Sequence, residues 1–260
     1  MIHSKILFKK VLNYKPLLII FLFWLIRNLF FYFPFYSQIH PRIILDTSYI
    51  KKGMDTIYGA YDFSHFFTVA KTLYDKNNPF FENIRINPIS VVIVKFPLYP
   101  LTSLAISNLL HIRLDIMFVL LNNLISLLLA FLIYKYLQYL RFPPKISLFT
   151  AIFSLFFPAR WAMYQLIPSA DMLSAFLLLS FLISYKTLKK YSAVFLGLFI
   201  LSRPNAFIII FPLILDFVKQ IFAYIYSKNF NENKFLLNLL NVFIGIGVFC
   251  LICLFYYLKF

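Results

Sequence analysis

The sequence predicts an all-α polytopic membrane protein, and three observations support that fold class. The 260 residues are 62% hydrophobic and only 13% charged, whereas a soluble domain is about half apolar and a quarter charged. Apolar runs long enough to cross a bilayer recur along the chain. Basic residues gather between those runs, and the formal net charge is +16. We therefore expect a membrane protein whose basic loops lie on anionic lipid headgroups, rather than a nucleic-acid-binding protein.

The first apolar run covers residues 16–36 and follows four lysines near the N-terminus, Lys5, Lys9, Lys10 and Lys15. A signal peptide has a shorter apolar region and a cleavage site with small residues after it. This run is too long and lacks such a site. We expect a retained first membrane helix with its N-terminus in the cytoplasm.

Five further runs are long enough, or nearly long enough, to cross a bilayer: 116–137, 146–166, 170–186, 204–226 and 235–258. Two shorter runs, 97–112 and 190–202, are tilted spans, re-entrant segments or half-helices. The expected fold is a single membrane domain over residues 1–260 with about seven or eight transmembrane helices. Because the chain ends at Phe260 inside an apolar run, we also expect it to be short at its C-terminus.

Loop charges bear on topology, and they leave two interpretations open. Three basic groups, near 135–145, 186–190 and 219–234, favour the cytoplasm under the positive-inside rule. If 97–112 crosses the bilayer, the loop at 135–145 falls outside, against that rule. If 97–112 dips in and returns, all three groups fall inside. In both cases the chain is a multi-pass protein of the plasma or inner membrane, with residues 37–96 outside.

Residues 37–96 form the one long hydrophilic-leaning segment of the sequence. It holds five of the nine acidic residues, Asp46, Asp55, Asp62, Asp75 and Glu82. Apolar residues at 63, 66, 67, 70, 73 and 74 follow helical spacing. We expect an amphipathic helix over about 62–75 that lies on the outer membrane surface.

Asp62 and His65 are the first candidate functional residues. Asp62 precedes the expected helix, where a carboxylate commonly caps the free N–H groups of the first turn. At the same position it could act as a general base on a substrate that meets the membrane surface. His65 lies three residues on and shares a helix face with Asp62. It is either an acid–base partner or an ordinary polar-face residue.

Three further segments carry polar residues at the start or in the middle of apolar runs. The stretch "KFPLYPL", residues 95–101, includes Lys95 and Tyr99 at a stiffened helix start. Residues 156–179 contain Arg160, Gln165 and Asp171 between two apolar runs. Arg203 interrupts residues 196–215; it is either a loop residue before Pro204 or a functional charge at depth.

Taken in order, these segments resemble the polytopic GT-C glycosyltransferases that use polyprenyl-phosphate sugars. The likeness is greatest for the polyprenyl-phosphate-mannose-dependent alpha-mannosyltransferase-like branch. It covers roughly residues 55–215 and rests on "YDFSHFFTVAKTLYDKNNPFF", "KFPLYPL", "FVLLNNLISLLLAFLIY", Gln165 before "MLSAFLLLSFL", and "AVFLGLFILSRP". Two features depart from the family: Tyr164 stands where Gly is usual, and the family is usually longer.

The resemblance implies transfer of a sugar, mannose or another hexose, from a polyprenyl-phosphate donor to a glycan or lipid-linked acceptor with inversion. It implies Asp62 as general base, with Asp55 as the alternate. Cations at the donor phosphate would be Arg203, Arg160 and Lys95, and substrate-binding residues would be His65, Gln165 and Tyr99. No cofactor and no metal ligand is predicted, although a divalent metal stays open. The expected partners are the donor, the acceptor and membrane lipids, with no nucleic acid.

Two other functions compete with sugar transfer. A transporter or lipid flippase would carry charged residues inside its helices, and Arg27, Asp216 and Arg203 are candidates. A truncated, non-catalytic relative would fold but would not respond to changes at Asp62. Labelled-substrate assays separate these functions, whereas the sequence leaves them open.

Overall fold

A computed structural model describes residues 14–37, 53–58, 63–75, 77–79, 96–157, 159–187, 190–226 and 232–259. Asp62 and Lys95 lie outside these ranges. Within them the regular elements are helices and none is a strand. The helices are α1 Tyr14–Ser37, α2 Met54–Tyr58, α3 Phe63–Thr72, α4 Leu98–Leu110, α5 Leu114–Tyr139, α6 Pro144–Phe156, α7 Ala159–Leu166, α8 Ala170–Lys186, α9 Ser192–Ser202, a 3₁₀ turn Pro204–Ile209, α10 Ile210–Tyr226 and α11 Glu232–Lys259.

Four helical segments of the described chain are long and apolar enough to cross a membrane. They are Tyr14–Tyr36, Leu114–Tyr139, Ala206–Ile225 and Glu232–Phe255. The predicted all-helical fold is therefore confirmed for the described residues, with four candidate membrane spans among them. Helices α4, α6 and α9 are apolar but shorter, with 13, 13 and 11 residues. The count of seven or eight crossings stays a prediction.

Helices α1 and α5 run antiparallel and define the two ends of the bundle. Trp24 Nε1 donates to Ser126 Oγ at 3.3 Å, and Asn123 Nδ2 donates to Tyr32 Oη at 2.6 Å. As residue numbers rise along α1, the numbers of the α5 residues beside them fall. We name the end that holds Tyr36, α2 and the start of α5 the Leu114 end, and the opposite end the Tyr139 end.

The later helices run between the same two ends. Helix α8 begins beside Phe118, where Ala170 joins the central core cluster, and ends with Lys186 Nζ 5.3 Å from the Tyr136 ring centroid. Helix α9 returns from the Tyr139 end. Helix α11 then runs the full length of the bundle, because Lys234 contacts Asp216 near Tyr185 and Phe255 contacts Tyr74.

Helix α4 has both ends at the Leu114 end. Its 13 residues span about 20 Å, short of the roughly 30 Å of a bilayer core. Tyr99 near its start donates to the Phe118 carbonyl at 2.8 Å, one turn into α5. Its C-terminus leads through a turn at His111 directly into α5. Whether 97–112 crosses the bilayer or dips in and returns stays a prediction.

That geometry gathers basic side chains at the Tyr139 end. Each of the three basic groups predicted from the sequence contributes described residues there. They are Lys135, Arg141, Lys145, Lys186, Lys190, Lys219 and Lys234. The basic groups, which are separated by up to about a hundred residues of sequence, therefore share one end of the molecule.

Helix α3 is packed into the protein. Phe66 contacts Tyr99 edge-on, with ring centroids 5.0 Å apart, and also contacts Phe118. Val69 and Ala70 are buried, as are both threonines of the helix. Two residues with left-handed φ values, Leu73 and Tyr74, end the helix. The helix predicted over 62–75 is present as Phe63–Thr72, and its buried side packs against α4 and α5. Its position on the outer membrane surface stays a prediction.

Gly245 of α11 lies where three helices meet. A Cβ at this position would be 3.2 Å from Ile210 of α10 and 3.5 Å from Leu196 of α9. Two residues along, a Cβ at Gly247 would meet nothing within 4 Å. The small residue at 245 therefore allows close helix contact, as is usual in membrane bundles.

We predict that Gly245→Leu lowers the free energy of unfolding by about 1–3 kcal/mol, because the added side chain overpacks this contact. The matched change Gly247→Leu should cost little, since it projects into open space. Thermal unfolding of the purified protein in detergent measures both. Equal losses for the two variants would show that α11 does not pack on α9 and α10 in this register.

Candidate functional site

The most unusual polar group in the described structure is the guanidinium of Arg27. Arg27 lies 13 residues after the first residue of α1 and 10 before the last, about 20 Å and 15 Å along the axis. It is 4% exposed. A charge at this depth of a membrane helix is costly, and it marks a functional site by default.

One side of the guanidinium faces the break between α6 and α7. Pro158 stands between these helices in the sequence, and Phe157 before it is extended, as expected for a residue that precedes proline. The break leaves the last carbonyls of α6 without helical partners. Arg27 Nη1 donates to the Leu155 carbonyl at 3.5 Å and to Gln165 Oε1 of α7. Gln165 Nε2 in turn donates to the Ser154 carbonyl at 2.6 Å.

The other side of the guanidinium faces α5. Nη2 lies 3.1 Å from Ser126 Oγ, 3.2 Å from Asn123 Oδ1 and 3.4 Å from Asn28 Oδ1 of its own helix. Every partner of Arg27 is thus neutral, and no carboxylate of the described residues pairs with it. Its Nε is buried without any hydrogen-bond partner.

Polar side chains of α1 and α5 also hold the C-terminus of α7. Asn122 Nδ2 donates to the carbonyls of Tyr164 at 2.5 Å and Ile167 at 2.6 Å. The Tyr32 hydroxyl donates to the Leu166 carbonyl. These are carbonyls that a helix end leaves unsatisfied. The Asn pair within the Leu-rich α5 therefore fastens α7 to the bundle.

A groove of about 400 Å³ runs along α1 and α5 beside this cluster. It reaches from the level of Trp24 to the Leu114 end and is open on one side. Its walls are mostly aromatic and aliphatic, with two amides among them. They are Trp24, Leu25, Asn28, Leu29, Tyr32, Phe33, Tyr36, Met54, Tyr58, Ile116, Val119, Leu120 and Asn123.

Charged residues lie near the mouth of the groove at the Leu114 end. Burial raises the pKa of the Tyr58 hydroxyl, and the nearby carboxylates of Asp115 and Asp55 raise it further. Arg113 forms an exposed ion pair with Asp115 at 2.5 Å. Asp55, the alternate base of the sequence analysis, is exposed on α2 beside this mouth.

A second polar group at the Leu114 end joins Asp171 and Arg203, which lie at 2.6 Å in an ion pair. Ser169 caps α8: its Oγ accepts from the Asp171 backbone N–H at 3.1 Å. The fully buried Tyr99 hydroxyl donates to the Phe118 carbonyl at 2.8 Å. Tyr99 and Ala170, the residue after Ser169, belong to the same core cluster, so the "KFPLYPL" segment packs near the start of α8.

The other candidate site residues from the sequence do not join the Asp171–Arg203 pair in the described structure. His65 is half-buried on α3, and its Nδ1 is buried without a hydrogen-bond partner. Gln165 belongs to the Arg27 cluster rather than to the Leu114 end. Arg160 lies in α7, but its side chain is outside the described part, as are Asp62 and Lys95 entirely. The structure thus places Tyr99 and Arg203 at the same end of the bundle, and Asp62, the predicted base, lies outside the described residues.

The sequence analysis did not assign a site to Arg27, Tyr32, Asn122 or Asn123. Two signals pointed to them: a lone charge inside the first apolar run, and an Asn pair inside a Leu-rich run. The sequence could not identify the partners of these residues, because Gln165, for example, is 138 residues from Arg27. Spacing within one helix carries no information on such a contact.

Asp216 marks a further cluster, at the Tyr139 end. Its carboxylate lies 3.0 Å from Lys234 Nζ and accepts from Asn238 Nδ2 at 3.0 Å. The Tyr185 hydroxyl lies 2.5 Å from the same carboxylate. The cluster ties α8, α10 and α11 together and balances the Asp216 charge. Among the described residues no three His, Cys, Asp or Glu side chains come together as a metal site.

Comparison with known proteins gives no relative from which a function could be carried over. No family model, curated protein or solved structure matches the chain. The functional assignment therefore rests on the residues and contacts described above.

We predict that Gln165→Leu lowers the free energy of unfolding by about 1–3 kcal/mol. It removes the acceptor of a buried charged group and the donor to the Ser154 carbonyl. The matched change Gln220→Leu, at a half-buried position of α10, should stay within about 0.5 kcal/mol. Thermal unfolding in detergent measures both. A neutral Gln165→Leu would mean that Arg27 does not depend on this contact.

Proposed function

We propose that the chain is an integral membrane glycosyltransferase. It moves mannose or another hexose from a polyprenyl-phosphate donor to a glycan or lipid-linked acceptor with inversion. The motifs quoted above support the assignment, as does one structural observation. Segments that carry those motifs, from α3, α4, the α7–α8 turn and the α9 C-terminus, meet around Tyr99 at one end of the bundle.

In the proposed reaction the Asp62 carboxylate takes the proton from an acceptor hydroxyl. The acceptor oxygen then attacks the anomeric carbon, and the bond from that carbon to the phosphate oxygen breaks. A placed base contributes typically about 10²–10⁴-fold to such a step. Asp55 is the alternate base, and His65 contacts the substrates beside it.

Negative charge grows on the departing polyprenyl phosphate, so fixed cations near it lower the barrier. Arg203, Arg160 and Lys95 are proposed for this role. A guanidinium has five N–H donors, so pairing with Asp171 leaves Arg203 able to bind a phosphate as well. In this scheme the ion pair holds the Arg203 side chain in place. Tyr99, whose hydroxyl is bonded inside the protein, shapes the site, whereas Gln165 is bonded to Arg27 away from it.

The orientation follows from the charges of the Tyr139 end. The basic side chains gathered there favour the cytoplasmic face of a plasma or inner membrane. The Leu114 end, with Asp55, His65 and Arg203, then faces the other side. A donor that is anchored in the outer leaflet would meet a water-borne or membrane-bound acceptor at that surface.

A transporter or flippase is the second candidate, and Arg27 is the observation that favours it. Deep charges beside a broken helix are typical of transport proteins. Against it, the groove beside Arg27 extends to the Leu114 end and not to the Tyr139 end. Translocation of a labelled lipid-linked sugar across vesicles that contain the protein would decide in favour of this second candidate.

We predict that membranes with the wild-type chain transfer label from radiolabelled polyprenyl-phosphate mannose, or from another polyprenyl-phosphate hexose, to endogenous acceptor. Asp62→Asn should reduce the rate by about 10²–10⁴-fold, because the general base is lost. Asp75→Asn is the matched control: this exposed carboxylate accepts from the Asn77 backbone in a turn, and its loss should leave transfer unchanged.

The outcomes of this assay separate the functions. Equal transfer by wild type and Asp62→Asn would reduce Asp62 to a helix cap and make Asp55 the next residue to test. Absence of transfer with every hexose tried, from protein that folds normally, would contradict the proposal. The chain would then be a non-catalytic relative or a transporter.

A further inference from the structure

The groove between α1 and α5 has about the length of one lipid tail. Trp24 at its inner end and Tyr36 at its mouth are 12 residues apart on α1, about 18 Å along the axis. The hydrocarbon core of a bilayer is about 30 Å thick, so one leaflet contributes about 15 Å. Leu29 and Leu120 line the groove and are also exposed on the outside of the bundle. The groove therefore opens sideways toward lipid over about one leaflet.

The polar groups inside the groove are bonded within the protein. Asn28 Nδ2 donates to the Trp24 carbonyl at 3.0 Å, and Asn123 Nδ2 donates to the Tyr32 hydroxyl at 2.6 Å. The Tyr32 hydroxyl in turn donates to the Leu166 carbonyl. The other walls at this depth are aromatic and aliphatic side chains. An apolar chain is therefore the group that the inner groove would bury most favourably.

The mouth of the groove lies at the level expected for lipid head groups. Tyr36 is the last residue of one candidate span, and the span of α5 begins at Leu114. Tyrosine is enriched at such membrane–water interfaces. Met54 and Tyr58 of α2 line the groove at this end. A tail in the groove would thus place its head group beside α2 and the start of α5.

The described charged residues near this mouth are two carboxylates and one guanidinium. Asp115 forms its ion pair with Arg113 at 2.5 Å. Asp55, which follows Met54 on α2, is exposed and forms no ion pair with another described residue. Burial raises the pKa of the Tyr58 hydroxyl, and both carboxylates raise it further, so they lie near this residue of the groove wall. The described part of the mouth therefore carries net negative charge, although the chain as a whole carries +16.

We propose that the groove holds one acyl tail of an ethanolamine phospholipid, whose ammonium group binds the Asp55 carboxylate beside Tyr58. The pair of Arg113 with Asp115 uses Nε and Nη2 of the exposed guanidinium, which leaves Nη1 as a donor to the phosphate of the same head group. A zwitterionic head group thus complements both signs of charge at the mouth, whereas an anionic lipid would bring like charge to Asp55. The site goes beyond the proposed sugar transfer and would exist whether or not the chain is a transferase.

Quenching of Trp24 by brominated lipid tails tests the site, because Trp24 lines the groove. The sequence has two tryptophans, and Trp161→Phe leaves Trp24 as the one indole. The full chain is reconstituted into phosphatidylcholine vesicles with a rising fraction of brominated phosphatidylethanolamine, or of phosphatidylglycerol or phosphatidylcholine with the same brominated tails. Phosphatidylethanolamine should bind about 2- to 5-fold more tightly than phosphatidylglycerol, as expected for an exposed ion pair. It should also exceed phosphatidylcholine, whose ammonium has no N–H donor.

Variants separate the head-group contact from the tail contact. Asp55→Asn should remove the preference for phosphatidylethanolamine, and Asp55→Lys should reverse it in favour of phosphatidylglycerol, because the charge at the mouth changes sign. Leu120→Phe narrows the groove at a residue that is 48% exposed, so it should fold normally and weaken all three brominated lipids equally. Asp75→Asn changes an exposed carboxylate in a turn that does not line the groove, and it should leave all three unchanged.

Several results would overturn the proposal. These are equal quenching by the three brominated lipids, a preference for phosphatidylethanolamine that persists in Asp55→Lys, or unchanged quenching in Leu120→Phe. If Asp55→Lys does not fold, the comparison of the three lipids on Asp55→Asn still decides. A protein that prefers phosphatidylethanolamine through Asp55 but transfers no sugar would retain the lipid site and lose the transferase proposal. A protein that transfers sugar without any lipid preference would retain the transferase proposal and lose the lipid site.

Discussion

The packing of the broken helix α6–α7 depends on one constraint: inside a membrane, each polar group must find its partner within the protein. Helix α6 ends at Phe156 and α7 ends at Leu166, and each end leaves carbonyls to be satisfied. Arg27 supplies donors to the first helix half through Leu155 and to the second through Gln165. Asn122 and Tyr32 supply them to the end of α7. The break, the deep arginine and the two polar residues of α1 and α5 therefore belong to one arrangement.

This arrangement sets the position of the segment that follows it. Once α7 is fastened to α5, the chain turns at Ser169 and α8 begins beside Tyr99 and Phe118. Asp171 is then within reach of Arg203 at the end of α9. The ion pair of Asp171 with Arg203 at the Leu114 end therefore depends on the contacts that hold α7 in the interior of the bundle. A change at Arg27 is expected to disturb that end without touching it.

The sequence predicted those features that depend on composition and on spacing within one helix. The apolar length of α1, α5 and α11 identified them as spans, and the period of residues 63–74 identified α3. Sequence spacing could not show that α3 is covered by α4, since burial depends on contacts between Phe66 and Tyr99. Nor could length alone show where α4 begins. The contact of Tyr99 with Phe118 places its start near the start of α5, and whether 97–112 crosses stays a prediction.

The candidate site was predictable to a similar degree. Arg203 and Tyr99 were singled out by their places in apolar runs, and they do share one end of the bundle. The partner of Arg203, Asp171, was visible as a charge but not as its neighbour, because 32 residues and two helices separate them. Arg27 was visible as a deep charge, yet its neutral partners come from three other segments. The assignment of Asp62 as base stays a prediction.

The proposed chemistry depends on the Leu114 end facing outward, and cysteine accessibility tests that orientation most directly. The two native cysteines, Cys250 and Cys253, are exposed on α11 and would first be replaced by serine. Single cysteines are then introduced as Asp55→Cys and Lys190→Cys, at exposed positions of the two ends. A membrane-impermeant maleimide should label the first in intact cells and the second only after permeabilisation. The reverse pattern would place Asp55 and Arg203 in the cytoplasm and contradict transfer at the outer surface.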